Sequence, residues 1–221
     1  MLLAVDTSTR WIGLALYDGV SIRGEMVWNT NNHHTVELAP ALDHLFTRCN
    51  ITSADLKALA VALGPGSFTS LRIGMAVVKG MALALHLPVM GVPSLDVLAA
   101  AQPVSDLPLA AVLRAGRGRL ALVWYKPYRS HWKADSDPEV ITTAALADLL
   151  KEPTTVCGEL TSDDRRILTE NPNAILRSPA DCLRRPSYLA ALAWKRYQAH
   201  KFDDAASLSP IYLHMNTGIP A

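Results

Sequence analysis

The sequence predicts an α/β protein of two lobes, each a mixed sheet that begins with a strand meander and is flanked by helices. Three observations carry this. Residues 2–28 alternate short apolar runs with tight polar turns, the pattern of a three-stranded meander. Residues 58–86 join an apolar run to a glycine-rich turn and a long apolar helix. After Pro103 and Pro108 the order strand, polar turn, strand returns at 109–125, an echo of residues 2–17 in pattern rather than identity. The aperiodic stretch Gln102–Pro108 divides the chain into an N-terminal lobe, 1–104, and a smaller, more divergent C-terminal lobe, 105–221.

Taken in order, Leu2–Asp6 reads as a buried strand and Thr7–Arg10 as a polar turn. Trp11–Tyr17 is a second strand, Asp18-Gly19 a hairpin turn, and Val20–Trp28 a third strand. A polar segment, Asn29–His34, leads to a helix from about Thr35 to Cys49 with Leu38, Leu42 and Leu45 on one face, where Pro40 either lies near the first turn or kinks the helix. Leu59–Leu63 is a strand closed by Gly64-Pro65-Gly66, where Ser67 or Thr69 caps the next helix. That helix runs to His86. Val89–Val92 is a short strand, and Ser94 caps a helix to about Ala101. In the second lobe the strand pair at 109–125 precedes a helix near Thr143–Leu150 and a strand at Thr154–Cys157 turning at Gly158. A helix from Pro186 or Ser187 to His200 and a short extended piece at Ile211–Leu213 complete the lobe.

The helix at 69–86 carries two apolar stripes, Leu71, Met75, Val78, Ala82 and Leu85, then Ile73, Val77, Met81 and Ala84. A helix on one face of a sheet needs one stripe. The second predicts a further covering surface, another protein, with Gly74 and Gly80 permitting close approach.

Half of the 221 residues are hydrophobic and 19% are charged, against about 25% in an average soluble domain. The surface therefore has less charge to spare, and a net charge of +1 gives no global drive toward nucleic acid. Cys49, Cys157 and Cys182 lie far apart without metal spacing and read as reduced and inert. No basic segment precedes the first apolar run. Lys79, His86 and Pro88 interrupt the best apolar stretch short of the about 18 residues of a bilayer span. A cytoplasmic protein without a membrane partner is expected.

Several motifs admit two readings each. Asp6-Thr7-Ser8-Thr9 at the end of the first strand presents a carboxylate and hydroxyls either to a nucleotide phosphate and its magnesium or to the turn's own amides. Gly64, Gly66 and Ser67 at a helix start either cradle an anion or form a tight turn. The Lys-Ser/Thr pair of a P-loop is absent. His33 and Glu37 have the spacing of two ligands on one helical face, which leaves a metal short of ligands, so no metal site is expected. Arg114, Arg117, Arg119, Lys126 and Arg129, interleaved with Trp124, Tyr125 and Tyr128, form either an RNA contact or an ordinary solvated face. No Ser-His-Asp or Cys-His arrangement stands out.

The segments LAVDTSTRWIGLALYDG, HTVELAPALDHLF, ALAVALGPGSFTSLRIGMAVVKGMALALHLPVMGVPSLDVLA and the late SPIYLHMN resemble the TsaB (YeaZ) family of tRNA threonylcarbamoyladenosine synthesis. The resemblance is dense over residues 1 to about 100 and thin beyond, and the GPGSFTxLRIG motif is its specific part. It implies an actin-like, Hsp70-like two-lobed fold. It also implies a non-catalytic paralogue of TsaD, because Leu38 stands four residues after His34 where TsaD has the second histidine of a metal-holding HxxxH pair. By the same resemblance the partners are a TsaD-type catalytic subunit and a TsaE-type ATPase, with a homodimer when the chain is alone and tRNA touched only indirectly or weakly. The helices 35–49 and 69–86 form the partner surface in the family, here assigned to Leu42, Leu45, Leu71, Met75, Val78, Lys79 and Ala82. No cofactor is required by this chain; the candidate places for ATP or ADP with magnesium are Asp6, Thr7, Thr9, Gly64, Gly66 and Ser67 or the neighbourhood of the partner interface. Two departures stand out: Ser70 replaces a usual glycine, and the turn Leu113–Arg119 carries basic residues where the family has acidic ones. The family's older glycoprotease label has no support in these residues. The competing expectations are an autonomous ATP-dependent phosphotransferase working at Asp6 and Thr9, and an RNA-binding module.

Overall fold

The computed structural model describes residues 1–31, 33–116 and 118–213. β1 (Leu2–Asp6), β2 (Trp11–Tyr17) and β3 (Ile22–Asn29) form the expected antiparallel meander. α1 (His34–Cys49) follows, then β4 (Ala58–Ala62), which pairs parallel with β1. α2 (Phe68–Leu85) leads to β5 (Val89–Val92), which pairs parallel with β4. The sheet order is β3-β2-β1-β4-β5. α3 (Ser94–Ala100) leads out to β6 (Leu109–Arg114), β7 (Arg119–Tyr128), β8 (His131–Ala134), β9 (Glu139–Thr142), α4 (Thr143–Leu149), β10 (Thr154–Gly158), α5 (Ser162–Thr169), β11 (Ala174–Leu176) and α6 (Pro186–Gln198). These strands form a second sheet in the order β11-β10-β6-β7-β8, with β9 also on β7. The echo read from the sequence is real at the level of pairing. β6 is antiparallel to β7 and parallel to β10, as β1 is to β2 and β4.

Strand alternation decides what each helix covers. Leu3, Val5, Leu59 and Val61 face α1 and α2, whereas Leu2, Ala4, Ala58 and Ala60 face α6. Burial on both faces explains why β1 and β4 read as continuous apolar runs. α6, which the sequence places with the C-terminal lobe, returns to pack on β1, β2 and β5 of the first sheet. The small side chains Ala190 and Ala193, fully buried, allow that approach. α3 lies between the sheets, sending Val97 to the first and Leu95, Leu98 and Ala99 to the second. The strands β8, β9 and β11 are too short for a periodic signal and emerge only in the folded chain, whereas α5 opens on a Thr161–Asp164 capping box that the sequence reading missed.

Ser94 does not cap α3. Pro93 occupies that position, and the Ser94 hydroxyl is used elsewhere. A second correction concerns α2, which by length and composition is long and apolar enough to cross a bilayer. Arg72 and Lys79 are too few to break the run, and the apolarity is spent partly on the sheet, where Leu71, Met75, Val78 and Ala82 are buried. The segment 203–213 then runs along this lobe. Asp203 N–H donates to Val89 O, Lys79 Nζ donates to Ala206 O, and Ile211 N–H donates to Leu63 O.

On α3, Asp96 accepts a 2.7 Å hydrogen bond from the Tyr125 hydroxyl. Burial pushes its carboxyl above the ordinary value of 3.8, against the opposing effect of that hydrogen bond. A folded-state pKa above the unfolded one means that the folded protein binds the proton more tightly, so stability falls as pH rises from about 4 through the folded value. Asp96→Asn, which does not titrate, is expected to gain stability relative to the parent progressively over that window. Urea denaturation at several pH values between about 4 and 7 checks it; a pH-independent difference refutes it.

Candidate functional site

The turn after β1 and the loop after β4 meet as the sequence expects, yet their polar groups are consumed by one another. Asp6 Oδ1 accepts from the Ser8 amide at 2.8 Å, and the Thr7 hydroxyl donates to Ser70 O at 2.7 Å. Ser8 Oγ lies 2.5 Å from Ser94 Oγ, which also accepts from the Gly64 amide at 3.0 Å. The Ser67 amide donates to Ser8 O, and the Ser67 hydroxyl caps α2 by accepting from Ser70 N. A Cβ on Gly66 would stand 2.0 Å from Ser8 O, so only glycine lets the loop press against the turn.

The decisive side chain is one that no local motif announces. Arg184, in the loop before α6 and 3% exposed, donates from Nε to Asp6 Oδ2 at 2.9 Å, from Nη1 to Glu159 Oε1 at 2.5 Å and from Nη2 to Thr9 Oγ1 at 2.9 Å. The Thr9 hydroxyl in turn donates to Glu159 Oε1 at 2.6 Å. Asp6 and Thr9 belong to the first sheet's rim and Glu159 to the second's, so Arg184 bolts the two together. Burial works against its charge, but the two carboxylates outweigh that and hold its pKa above the ordinary arginine value.

Beside this bolt opens a cleft of about 940 Å³ whose walls include Thr9, Arg10, Ser67, Arg114, Gly116 and Arg165. Of the residues assigned to an anion, Thr9, Gly66 and Ser67 reach its wall, while Asp6 and Thr7 are buried at 2% and 1% exposure. A magnesium-bound phosphate does not fit Asp6. Both carboxylate oxygens already have donors, and a guanidinium holds the place a metal cation would take. Arg114 is likewise engaged, donating to Asp164 at 2.8 Å.

The metal reading of the α1 start fails for a similar reason. Glu37 accepts from Trp28 Nε1 at 2.7 Å and from the Thr30 hydroxyl at 2.9 Å. His34 is buried with Nε2 donating to Thr9 O at 2.8 Å, and Leu38 sits in the core. Among the described residues no three of His, Cys, Asp and Glu converge. Burial pushes the Cys157 and Cys182 thiols up, which keeps them unreactive.

The assigned partner surface needs correction. Leu42, Leu45, Leu71, Met75, Val78 and Ala82 are 8%, 3%, 0%, 5%, 0% and 5% exposed and belong to the chain's own core. Lys79 alone is half-exposed, and it is bonded to the tail. Periodicity finds two stripes but does not say which faces the sheet. The outer stripe of α2 comprises Thr69, Arg72, Ala76, Gly80 and Leu83, with Phe68 at the helix start, while Ile73 and Val77 are half-buried at its margin against the core; on α1, Val36, Ala39 and Pro40 are exposed. The basic cluster also divides. Arg114 lines the cleft, Arg119 opens β7 at the opposite end from Tyr128, Tyr125 is buried, and Arg117 lies outside the described residues.

Two sheets that each pair an antiparallel meander with parallel additions, helices on both faces and a cleft between them define the two-lobed actin-like class. The YeaZ protein of Pseudomonas aeruginosa superposes with a TM-score of 0.80 at 25% identity, over 96% of this chain and 99% of that one. Component A of the Acidaminococcus fermentans (R)-2-hydroxyglutaryl-CoA dehydratase shares the fold, with a TM-score of 0.54 at 10% identity over 89% of this chain and 98% of that one. Residues 26–182 match the family model described as TsaD, tRNA N6-adenosine threonylcarbamoyltransferase. The Bacillus subtilis tRNA threonylcarbamoyladenosine biosynthesis protein TsaB is 29% identical over 219 residues, 97% of this chain and 94% of that protein. The chain belongs to this family, on its TsaB (YeaZ) branch.

Proposed function

We propose that the chain serves tRNA threonylcarbamoyladenosine synthesis as a non-catalytic subunit that docks a TsaD-type catalytic subunit through the outer faces of α1 and α2. The observation that carries the docking is Gly80. It lies mid-helix and exposed, with no atom beyond its own helical backbone and chain neighbours within 4 Å of where a Cβ would stand. A glycine there costs about 1 kcal/mol relative to alanine without any gain inside the chain. With Ala76 beside it and Leu83 78% exposed, it forms a shallow groove that a partner helix fills at close range. The consumed carboxylate of Asp6 supports the absence of catalysis, and the name of the Bacillus subtilis relative supports the pathway.

In this reading the chain needs no cofactor of its own, works in the cytoplasm, and pairs with a second copy through the same stripe when the catalytic subunit is missing. A TsaE-type ATPase joins the assembly. Reconstitution tests it: a TsaD-type and a TsaE-type protein are supplied with threonylcarbamoyl donor and tRNA, with and without this chain. Modified tRNA is expected to rise strongly only when the chain is present, and equal yields without it overturn the reading.

A further inference from the structure

The hairpin β7–β8 gathers positive charge around an exposed aromatic ring. Register places Lys126 opposite Lys133 and Tyr128 opposite His131. Alternation therefore gathers these four side chains on one face, and sends Tyr125 and Trp132 to the other, where they are 3% and 9% exposed. Like charges directly opposed across a strand pair are destabilising. Asp135 takes up Lys126 but leaves Lys133 without a carboxylate in reach among the described residues. At the tip Arg129 adopts φ +55°, a left-handed conformation that glycine or asparagine occupies at lower cost. Tyr128, 45% exposed, has Arg129 and Lys133 each 5.5 Å from its ring centre and His131 edge-on at 5.3 Å. Residues 126–135 thus hold three cations and a histidine against one acid. The hairpin is anchored on its other face, where the buried Trp132 donates from Nε1 to Gln102 O at 3.1 Å.

We infer that this face is an RNA contact: Arg129 and Lys133 sit against phosphates, and Tyr128 offers its ring to an unstacked base. An aromatic ring framed by unneutralised cations suits a polyanion that carries planar groups better than it suits an acidic peptide, which has no use for the ring. The inference rests on the reading that the chain works on a tRNA-modifying assembly, and gives it a direct hold on the substrate.

Fluorescence anisotropy with the full chain and a labelled, unmodified tRNA transcript tests it, between about 50 and 200 mM salt. The parent is expected to bind with a clear salt dependence. Arg129→Ala/Lys133→Ala is expected to bind about tenfold more weakly at low salt, with the slope of log affinity against log salt reduced by about two. Tyr128→Ala is expected to lose about five- to tenfold in affinity with the slope unchanged. All three side chains are exposed, so the thermal midpoints should stay at the parent value. The inference fails if the parent shows no salt-sensitive binding, if the variants bind as the parent does, or if polyglutamate displaces the tRNA as well as unlabelled tRNA does. Failure here with full support of modification in the reconstituted system would leave the subunit role standing and remove only the RNA contact.

Discussion

Arg184→Ala is expected to destabilise the protein by about 3–5 kcal/mol, the cost of leaving a buried ionic group without its partner. The substitution strands Asp6, 2% exposed, and removes a donor from Glu159 and from Thr9. Arg184→Lys should recover little, since a single ammonium cannot reach three acceptors arranged around a planar fork. Asp6→Ala/Arg184→Ala should cost less than the sum of the single changes, because the stranded charge disappears with its partner. Urea denaturation of the parent, the single variants and the double variant measures this. Additive losses, or a change under about 1 kcal/mol for Arg184→Ala, would contradict the assignment of Arg184 as the bolt between the sheets.

Met75→Glu and Leu83→Glu, both in α2, should fail in opposite ways. Met75 is 5% exposed and shares a core with Leu3, Val5, Leu59 and Val61. A carboxylate there is unpaired in an apolar site, and loss of the folded first lobe is expected. Leu83 is 78% exposed, so its replacement should leave the thermal midpoint nearly unchanged while abolishing capture of the TsaD-type subunit on affinity resin. A folded Met75→Glu, or a Leu83→Glu protein that still captures the subunit, would return the interface to the stripe that periodicity alone suggested.

Much of this fold is legible in the residues. The meander, the glycine-rich turn, the cap at Ser67 and the helix α6 follow from spacing and turn chemistry, which act between near neighbours, and α3 lies where expected although Ser94 is not its cap. Within GPGSFTSLRIG the Ser67 side chain serves an amide one helical turn on, at Ser70, which is why a local reading finds it. The site is less legible. Asp6 at a strand end looks the same whether its carboxylate is free or paired, and the partner that decides the matter lies 178 residues on, in a stretch without periodicity.

The amino-acid order alone set the layers, the repetition of the strand pattern in both lobes and the family. The folded chain settled which apolar stripe of α2 is inside, where α6 goes and what Asp6 holds. Those three are outcomes of long-range packing and charge pairing, and they turn on which surfaces are available once the sheets have formed.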